Sequence, residues 1–167
     1  DATNGANIVE DIRRESGINI DIITGREEAE IIYEAGELDN FMDKKKNYLY
    51  VDVGGGSTEV IVYSNQQKVD SNSFQMGTVR LLVDAVKEDE EKRFKSWLKD
   101  ISKDNNSFSI IASGGNIDKI HKVLGKRERE PISYDELKKL YDSLKSLSYE
   151  ERIQSYKLNT YRADVIV

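Results

Sequence analysis

The sequence predicts one α/β domain in which a mixed sheet is flanked by helices. Residues 48–53 and 60–63 are β-branched, apolar runs joined by a short glycine-rich stretch, which indicates an antiparallel hairpin. Residues 108–112 form another apolar run that is followed at once by a glycine pair and a helical pattern. Hairpins combined with a strand that feeds a helix are typical of a mixed sheet covered by helices.

Length, composition and charge limit the function classes. The chain has 167 residues, of which 38% are hydrophobic and 34% are charged, as expected for a globular domain that buries its own core. It has no cysteine, which excludes a disulfide framework and thiolate chemistry. The net charge of −6 argues against a nonspecific nucleic-acid binder. We expect no nucleic-acid partner, no membrane association and a cytoplasmic location.

The turn of the predicted hairpin is a candidate phosphate site. It consists of Gly54, Gly55, Gly56 and Ser57. Glycines can adopt positive φ and direct several backbone N–H groups into one concavity that suits phosphate oxygens. Asp52 and Glu59 flank the turn, and two carboxylates would repel an anion unless a divalent cation lay between them. We therefore predict a phosphate ligand with Mg²⁺; the alternative is a plain turn with two solvated carboxylates.

A second carboxylate position follows a predicted helix start. Thr24 and Glu27 fit a capping box, in which each side chain bonds a backbone N–H of the other residue. Glu28 instead shares a helical stripe with three apolar residues, Ile31, Ile32 and Ala35. This spacing points Glu28 toward the buried side, where a carboxylate must be paired, bound to metal or poised for proton transfer. The alternative is a residue at the edge of the stripe that pairs with an arginine.

A second glycine-rich turn follows the apolar run at 108–112. Gly114 and Gly115 precede a helical pattern, and α/β proteins bind phosphates or nucleotides at such helix starts. The same glycines would equally permit close packing of a strand against a helix. His121, the only histidine, lies beside the apolar side of this helix, and we expect a structural role for it.

The rest of the sequence predicts further helices and strands around the hairpin. Helices are predicted over residues 4–16, from residue 77 to 86, and from Glu88 onward. Further strands are predicted at 18–23, at Gln67–Phe74 after a turn at 64–66, and at 162–167. Two more capping boxes start the late helices: Ser133 with Glu136, and Ser148 with Glu151.

Five stretches together resemble the exopolyphosphatase and guanosine pentaphosphate phosphohydrolase family. They are IITGREEA at 22–29, VDVGGGSTE at 51–59, MGTVRL at 76–81, ASGGNI at 112–117 and RADVI at 162–166. The resemblance implies a ribonuclease H-like, actin-type ATPase domain with a mixed five-stranded sheet flanked by helices. It also implies that residues 1–167 are the second domain of a two-domain phosphatase, with 1–17 as a lead-in helix between the domains.

The resemblance assigns roles to individual residues. It implies that Glu28 is the general base toward the attacking water, and that Asp52 and Glu59 belong to a Mg²⁺ site. The implied phosphate contacts are Gly54, Gly55, Gly56 and Ser57 in the first turn, and Gly114 and Gly115 in the second. Asn116 departs from the family, which often has a threonine there.

The function implied by the resemblance is hydrolysis of a terminal phosphoanhydride bond. The substrate would be inorganic polyphosphate or guanosine pentaphosphate, and orthophosphate would be released. Because the family's first phosphate loop is missing, we expect this fragment alone to have little activity and the N-terminal domain to be its main partner; homodimerisation stays open. Two alternatives remain: an ATP-dependent kinase or ATPase of the same superfold, and a non-catalytic module that binds a phosphorylated ligand.

Overall fold

Four strands form a mixed sheet at the centre of the fold. The structure is a computed structural model that describes residues 3–24, 27–28, 31, 42–103, 107–127 and 129–167. The strands are β1 (Asn47–Val53), β2 (Thr58–Ser64), β3 (Gln67–Phe74) and β4 (Phe108–Ser113). Their order is β3-β2-β1-β4, with antiparallel pairs except for the parallel pair of β1 and β4. The predicted α/β class and the mixed sheet are confirmed.

Two hairpins connect the first three strands. The loop between β1 and β2 is the glycine-rich turn at 54–57, which we call the triple-glycine bend. β2 and β3 are joined through Asn65 and Gln66, both with positive φ, as a tight hairpin turn requires. β2 is the most deeply buried strand, and its Ile61 and Tyr63 pack with Tyr48 and Tyr50 of β1. This cluster fixes the register of the strands beside the bend.

The described part of the chain contains seven helices besides the helical residues Glu27, Glu28 and Ile31. They are α1 (Gly5–Ser16), α2 (Thr78–Leu82), α3 (Glu88–Ile101), α4 (Gly115–Val123), α5 (Tyr134–Ser146), α6 (Tyr149–Tyr156) and α7 (Thr160–Val165). Helix α1 ends at Gly17 in the left-handed conformation. The capping boxes of Ser133 and Ser148 are both formed, which explains why α5 and α6 begin where the sequence predicts. Helix α2 is shorter than predicted.

The predicted strand at 162–167 is wrong, because this segment belongs to α7. The side chain of Asn159 accepts a hydrogen bond from the backbone N–H of Arg162 and caps the helix. Ala163 and Ile166 then pack with Leu140 and Leu144 of α5 in a second buried cluster. Burial against a neighbouring helix therefore outweighs the β-branched composition of the segment.

The predicted strand at 18–23 is also wrong. These residues pair with no strand in the described part of the chain, and Ile18 and Ile22 are 58% and 70% exposed. The described residues thus form a four-stranded sheet, whereas the family resemblance implied a five-stranded one.

The two margins of the sheet differ. β3 carries charged and polar side chains along one margin, whereas β4 leaves Ile110 67% exposed on the other. Within the described residues, β4 pairs only with β1. No described helix has both the length and the apolar character needed to cross a membrane.

Candidate functional site

The triple-glycine bend keeps three backbone N–H groups unused. The N–H of Gly54 donates to the carbonyl oxygen of Ser57 at 3.0 Å and closes the turn. The N–H groups of Gly55, Gly56 and Ser57 donate no hydrogen bond to any residue that the structure describes. Gly55 and Gly56 are exposed and Ser57 is half-buried, so these donors are open to a ligand. Three unused amides in one turn are a suitable receptor for phosphate oxygens.

Residues of α2 donate hydrogen bonds to the carbonyl oxygens of the bend. The N–H of Thr78 donates to the oxygen of Gly54 at 2.9 Å, and the N–H of Val79 donates to that of Gly55 at 3.0 Å. Nε of Arg80 donates to the oxygen of Gly56 at 2.7 Å. These hydrogen bonds satisfy the carbonyl oxygens of Gly54, Gly55 and Gly56. The N–H groups of the bend can therefore stay open to a ligand while each of these acceptors has a partner.

Gly77 makes this contact possible. A Cβ at Gly77 would lie 2.2 Å from the carbonyl oxygen of Gly55 and 2.4 Å from the nitrogen of Gly56. Only glycine fits this approach of two backbones. By contrast, Gly54, Gly55 and Gly56 all lack positive φ, so our reason for expecting glycine in the bend is wrong. No local pattern in the sequence indicates this role of Gly77, although Gly77 lies in the matching stretch at 76–81.

Two carboxylates stand opposite each other at the base of the bend. Asp52 of β1 pairs with Glu59 of β2, so both side chains project from the same face of the sheet about 5 Å apart at Cβ. Glu59 is 3% exposed, and its Oε1 accepts a hydrogen bond from Oγ of Ser73 at 3.0 Å. Glu59 forms no ion pair with the described residues. A buried carboxylate with one neutral donor favours a cation nearby.

Glu28 lies in the electrostatic field of this pair. Partial removal from water raises the pKa of Glu28, and repulsion by the Glu59 and Asp52 carboxylates raises it further. The pKa of Tyr50 is likewise raised, mainly by burial, with the charges of Asp52, Glu28 and Glu59 contributing. The charges of Asp52 and Glu59 thus act on both Glu28 and Tyr50.

The local structure around Glu28 confirms the capping box and corrects the burial. The N–H of Thr24 donates to Oε2 of Glu27 at 2.7 Å, and the N–H of Glu27 donates to Oγ1 of Thr24 at 3.3 Å. Glu28 is exposed and Ile31 is 55% exposed, so the prediction of a buried stripe is wrong for both residues. The described residues provide no surface that covers them. Ile32 and Ala35, the other members of the stripe, lie outside the described residues.

The donor chemistry near the bend fits Mg²⁺. Asp52, Glu59 and Glu28 offer only carboxylate oxygens, which this cation prefers. Among the described residues, no three or more histidine, cysteine, aspartate or glutamate side chains converge as a closed metal cage. Mg²⁺ is usually held by one or two carboxylates together with water and substrate phosphate. An open pair such as Asp52 and Glu59 fits that mode of binding.

The second glycine-rich turn lies against the first. Gly114 has φ +107°, and a Cβ there would lie 2.8 Å from the carbonyl oxygen of Val53 and 3.4 Å from Oδ1 of Asp52. Gly115 begins α4, which no side chain caps. A Cβ at Gly115 would lie 2.5 Å from Nη2 of Arg162. The pair therefore connects the carboxylates on one side with a guanidinium on the other.

Arg162 lies beside this turn, and the sequence alone did not indicate that position. Its Nη1 donates to Oδ1 of Asn116, and Nδ2 of Asn116 donates to the carbonyl oxygen of Val165 at 2.5 Å. Asn116 thus ties α4 to α7 through its amide. Arg162 lies in the matching stretch at 162–166. Because this stretch was predicted as a strand and is a helix, the direction of the Arg162 side chain toward Gly115 was not predicted.

Comparison with known proteins decides the family. The family model of the Ppx/GppA phosphatase family matches residues 1–167. The chain belongs to the Ppx/GppA phosphatase family. The resemblance described in the sequence analysis is thereby confirmed, and the four-stranded α/β fold agrees with solved structures of this family.

Two curated relatives are named guanosine-5′-triphosphate,3′-diphosphate pyrophosphatase. The protein from Aeromonas hydrophila is 29% identical over 149 residues, which cover 77% of this chain and 28% of the relative. The protein from Aeromonas salmonicida is 36% identical over 87 residues, which cover 48% of this chain and 16% of the relative. The chain therefore spans only about a quarter or less of the length of these relatives.

Solved structures cover nearly the whole chain. A Ppx/GppA family member from Aquifex aeolicus has a TM-score of 0.69 and 25% identity, and the match covers 99% of this chain and 58% of that one. An exopolyphosphatase from Cytophaga hutchinsonii has a TM-score of 0.74 at 22% identity and shows the fold; that match covers 99% of this chain and 60% of the other.

Proposed function

We propose that the protein carrying this chain hydrolyses terminal phosphoanhydride bonds and releases orthophosphate. The substrates are inorganic polyphosphate or guanosine pentaphosphate. The observation that carries the proposal is the triple-glycine bend, where the unused amides of Gly55, Gly56 and Ser57 lie beside the three carboxylates. An anion receptor next to a cation-seeking carboxylate pair suits a phosphate bound together with Mg²⁺.

In this proposal the bend binds and orients the terminal phosphoryl group. Phosphoryl transfer depends mainly on positioning and on electrostatic stabilisation of charge that spreads over the phosphoryl oxygens. The amides of the bend are fixed in advance by the contacts of α2 with the carbonyl oxygens of Gly54 and Gly55. They therefore need little reorganisation when charge develops on the bound group. Gly114 and Gly115 complete the phosphate contacts from the neighbouring turn.

Glu28 is the proposed general base. It orients a water molecule toward the phosphoryl group and accepts its proton. A base works best when its pKa lies near the working pH. Partial removal from water, together with the charges of Glu59 and Asp52, raises the pKa of Glu28 in that direction. Asp52 and Glu59 would hold Mg²⁺, which would supply positive charge to the bound phosphate.

The chain is proposed to be one half of a two-domain, actin-type enzyme. It spans 58% and 60% of the two solved relatives, which supports a further domain outside the 167 residues. In this proposal the additional domain covers the exposed side chains of Ile18 and Ile22. Half of a cleft positions substrate poorly, so the 167 residues alone should release little phosphate.

The decisive experiment compares two adjacent glutamates in the full-length natural protein. Glu28→Gln should lower phosphate release from polyphosphate by at least about a hundredfold, because a general base contributes this much or more. Glu27→Gln is the matched control, since glutamine preserves the capping box with Thr24. It should stay within about threefold of the unchanged enzyme, well below the effect of a general base.

Each outcome of this comparison has one meaning. Equal turnover of Glu28→Gln and Glu27→Gln would remove Glu28 from the mechanism. Phosphate release should be measured from polyphosphate and from guanosine pentaphosphate in parallel, which assigns the substrate. Strong phosphate release by the isolated 167 residues would contradict the two-domain proposal.

A further inference from the structure

A row of four polar side chains crosses the sheet next to the triple-glycine bend. Its members oppose one another in the register of the strands: Ser73 of β3, Glu59 of β2, Asp52 of β1 and Ser113 of β4. Opposed residues of neighbouring strands project from the same face of a sheet. The two carboxylates therefore lie in the middle of the row, with a serine hydroxyl at each end.

The two hydroxyls have different partners. Oγ of Ser113 is hydrogen-bonded to the hydroxyl of Tyr50 at 2.8 Å. Oγ of Ser73 donates to Oε1 of Glu59 at 3.0 Å, and no other described residue donates to this carboxylate. Because Glu59 is only 3% exposed, bulk water cannot replace a donor that is lost. The orientation of Glu59 therefore depends on Ser73.

Helix α3 fixes the backbone of Ser73. Nη2 of Arg93 donates to the carbonyl oxygen of Ser73 at 2.5 Å, and Nη1 donates to Oδ1 of Asn72 at 2.8 Å. Cζ of Arg93 also lies 4.4 Å from the centre of the ring of Phe74, which is fully buried. These contacts hold the end of β3 without using the hydroxyl of Ser73. The hydroxyl is thus kept in place for Glu59.

We propose that Ser73 is a positioning residue for the divalent-cation site. It binds Oε1 of Glu59 and leaves Oε2 available to a cation together with Asp52. The inference rests on the proposed function, which assigns Mg²⁺ to these two carboxylates. Ser73 itself contacts neither the cation nor the substrate. A hydrogen bond to a ligand carboxylate fixes its orientation, and its loss typically weakens metal binding about 10- to 100-fold.

Two deletions of a hydroxyl on the same strand test this role. Ser73→Ala removes the donor to Glu59. Ser71→Ala is the matched control, because Ser71 is also half-buried and lies on the same face, opposite Ile61. The hydroxyl of Ser71 makes no hydrogen bond with the described residues. Ser73→Thr restores a hydroxyl on a side chain that suits a strand.

The measurement is the binding of Mn²⁺ to the full-length natural protein without substrate, followed by electron paramagnetic resonance. Mn²⁺ takes the same oxygen ligands as Mg²⁺. Ser73→Ala should weaken Mn²⁺ binding about tenfold, whereas Ser71→Ala and Ser73→Thr should stay within about twofold of the unchanged protein. Equal affinities of Ser73→Ala and Ser71→Ala would overturn the role of Ser73, as would an equal loss in Ser73→Thr.

Folding and site are controlled separately. Equal unfolding midpoints without metal establish that the variants are folded; if Ser73→Ala unfolds, Ser73→Cys replaces it, because a thiol is a poor donor. In a Glu59→Gln background, Ser73→Ala should weaken Mn²⁺ binding no further, since two changes at one interaction are not additive. A further loss in that background would show that Ser73 does not act through Glu59.

The binding result is separable from the hydrolysis proposal. If the unchanged protein released no phosphate, the hydrolysis proposal would fail, and the difference in Mn²⁺ affinity between Ser73→Ala and Ser71→Ala would still test Ser73. If the unchanged protein bound no Mn²⁺, the role of Ser73 would be overturned, and phosphate release would decide the hydrolysis proposal by itself.

Discussion

The two glycine-rich turns have similar composition and different physical roles. In the triple-glycine bend, φ is never positive, the backbone oxygens are bound by α2 and Arg80, and three amides are unused in the described structure. In the second turn, Gly114 needs its φ of +107°, and Gly115 accommodates the guanidinium of Arg162. The bend thus keeps its amides open to an anion, whereas the glycines of the second turn are required by close contacts with Val53, Asp52 and Arg162.

This difference shows that glycine is required for different reasons in the two turns. What distinguishes the two turns is the partner on each side of the backbone. The bend depends on a glycine outside itself, Gly77, which lets α2 approach from behind. The second turn depends on its own glycines. Substitutions that add a single methyl group can therefore separate the two roles.

The largest expected effect comes from Gly77→Ala. The new Cβ would lie 2.2 Å from the carbonyl oxygen of Gly55, and neither backbone can move without losing the bonds between α2 and the bend. We expect the free energy of unfolding to fall by about 3 kcal/mol, at the upper end for overpacking, measured by urea denaturation.

The matched control for Gly77→Ala is Gly56→Ala inside the bend. A Cβ at Gly56 meets nothing within 4 Å, and its φ is not positive. Its unfolding free energy should change by less than about 0.5 kcal/mol. Equal losses of unfolding free energy in the two variants would contradict the view that the bend depends on the close approach of α2 at Gly77.

A smaller effect is expected from Gly114→Ala in the second turn. Alanine at φ +107° is strained, and its Cβ would lie 2.8 Å from the backbone oxygen of Val53. We expect a loss of about 2 kcal/mol in the free energy of unfolding. The control is Gly115→Ala, where the obstacle is the movable end of Arg162 and alanine favours the helix, so the change should stay within about 1 kcal/mol. If Gly115→Ala cost more than Gly114→Ala, Arg162 would be the rigid part of this junction.

The smallest effect concerns the carboxylates beside the bend. The pKa of Glu28 is raised from 4.5 in the folded protein, so the unfolded chain loses this proton first as pH rises. The contribution of Glu28 to stability therefore falls as pH rises through 4.5 to the raised value. Glu28→Gln should be more stable at pH 7 by about 0.3 kcal/mol, a small gain because solvent screens the exposed side chain. Denaturation at pH 4 should show no gain.

Glu136 provides the opposite sign as a control. A hydrogen bond from Lys126, followed by bonds from Ser133, lowers the pKa of Glu136 to about 2. Its contribution to stability is present above pH 4.5 and is lost as pH falls toward 2. Glu136→Gln should therefore lower stability at neutral pH. Parallel pH profiles for the two variants would contradict the repulsion inferred around Glu28.

The features that the sequence predicted well are local ones. Capping boxes such as those of Ser133 and Ser148 act within four residues, and a two-residue turn at Asn65 and Gln66 sets the register of its own hairpin. The bend was located for the same reason. The sequence also placed Asp52 and Glu59 at its base, since a hairpin of known length fixes which residues are opposite.

The features that the sequence missed depend on contacts between distant residues. Arg162 reaches Gly115 and Asn116, which lie 47 and 46 residues earlier, and no local pattern encodes that contact. The helix at Thr160–Val165 was mistaken for a strand because its burial against α5 outweighs β-branched composition. The burial expected for Glu28 was wrong for a related reason, because a helical stripe does not show whether another surface covers it.

The outermost strand β4 has a practical consequence. Within the described residues, β4 pairs with β1 alone and Ile110 is exposed, so an extended segment from another molecule can add to this edge of the sheet. Concentrated samples of the 167 residues should accordingly self-associate, which sedimentation velocity would show.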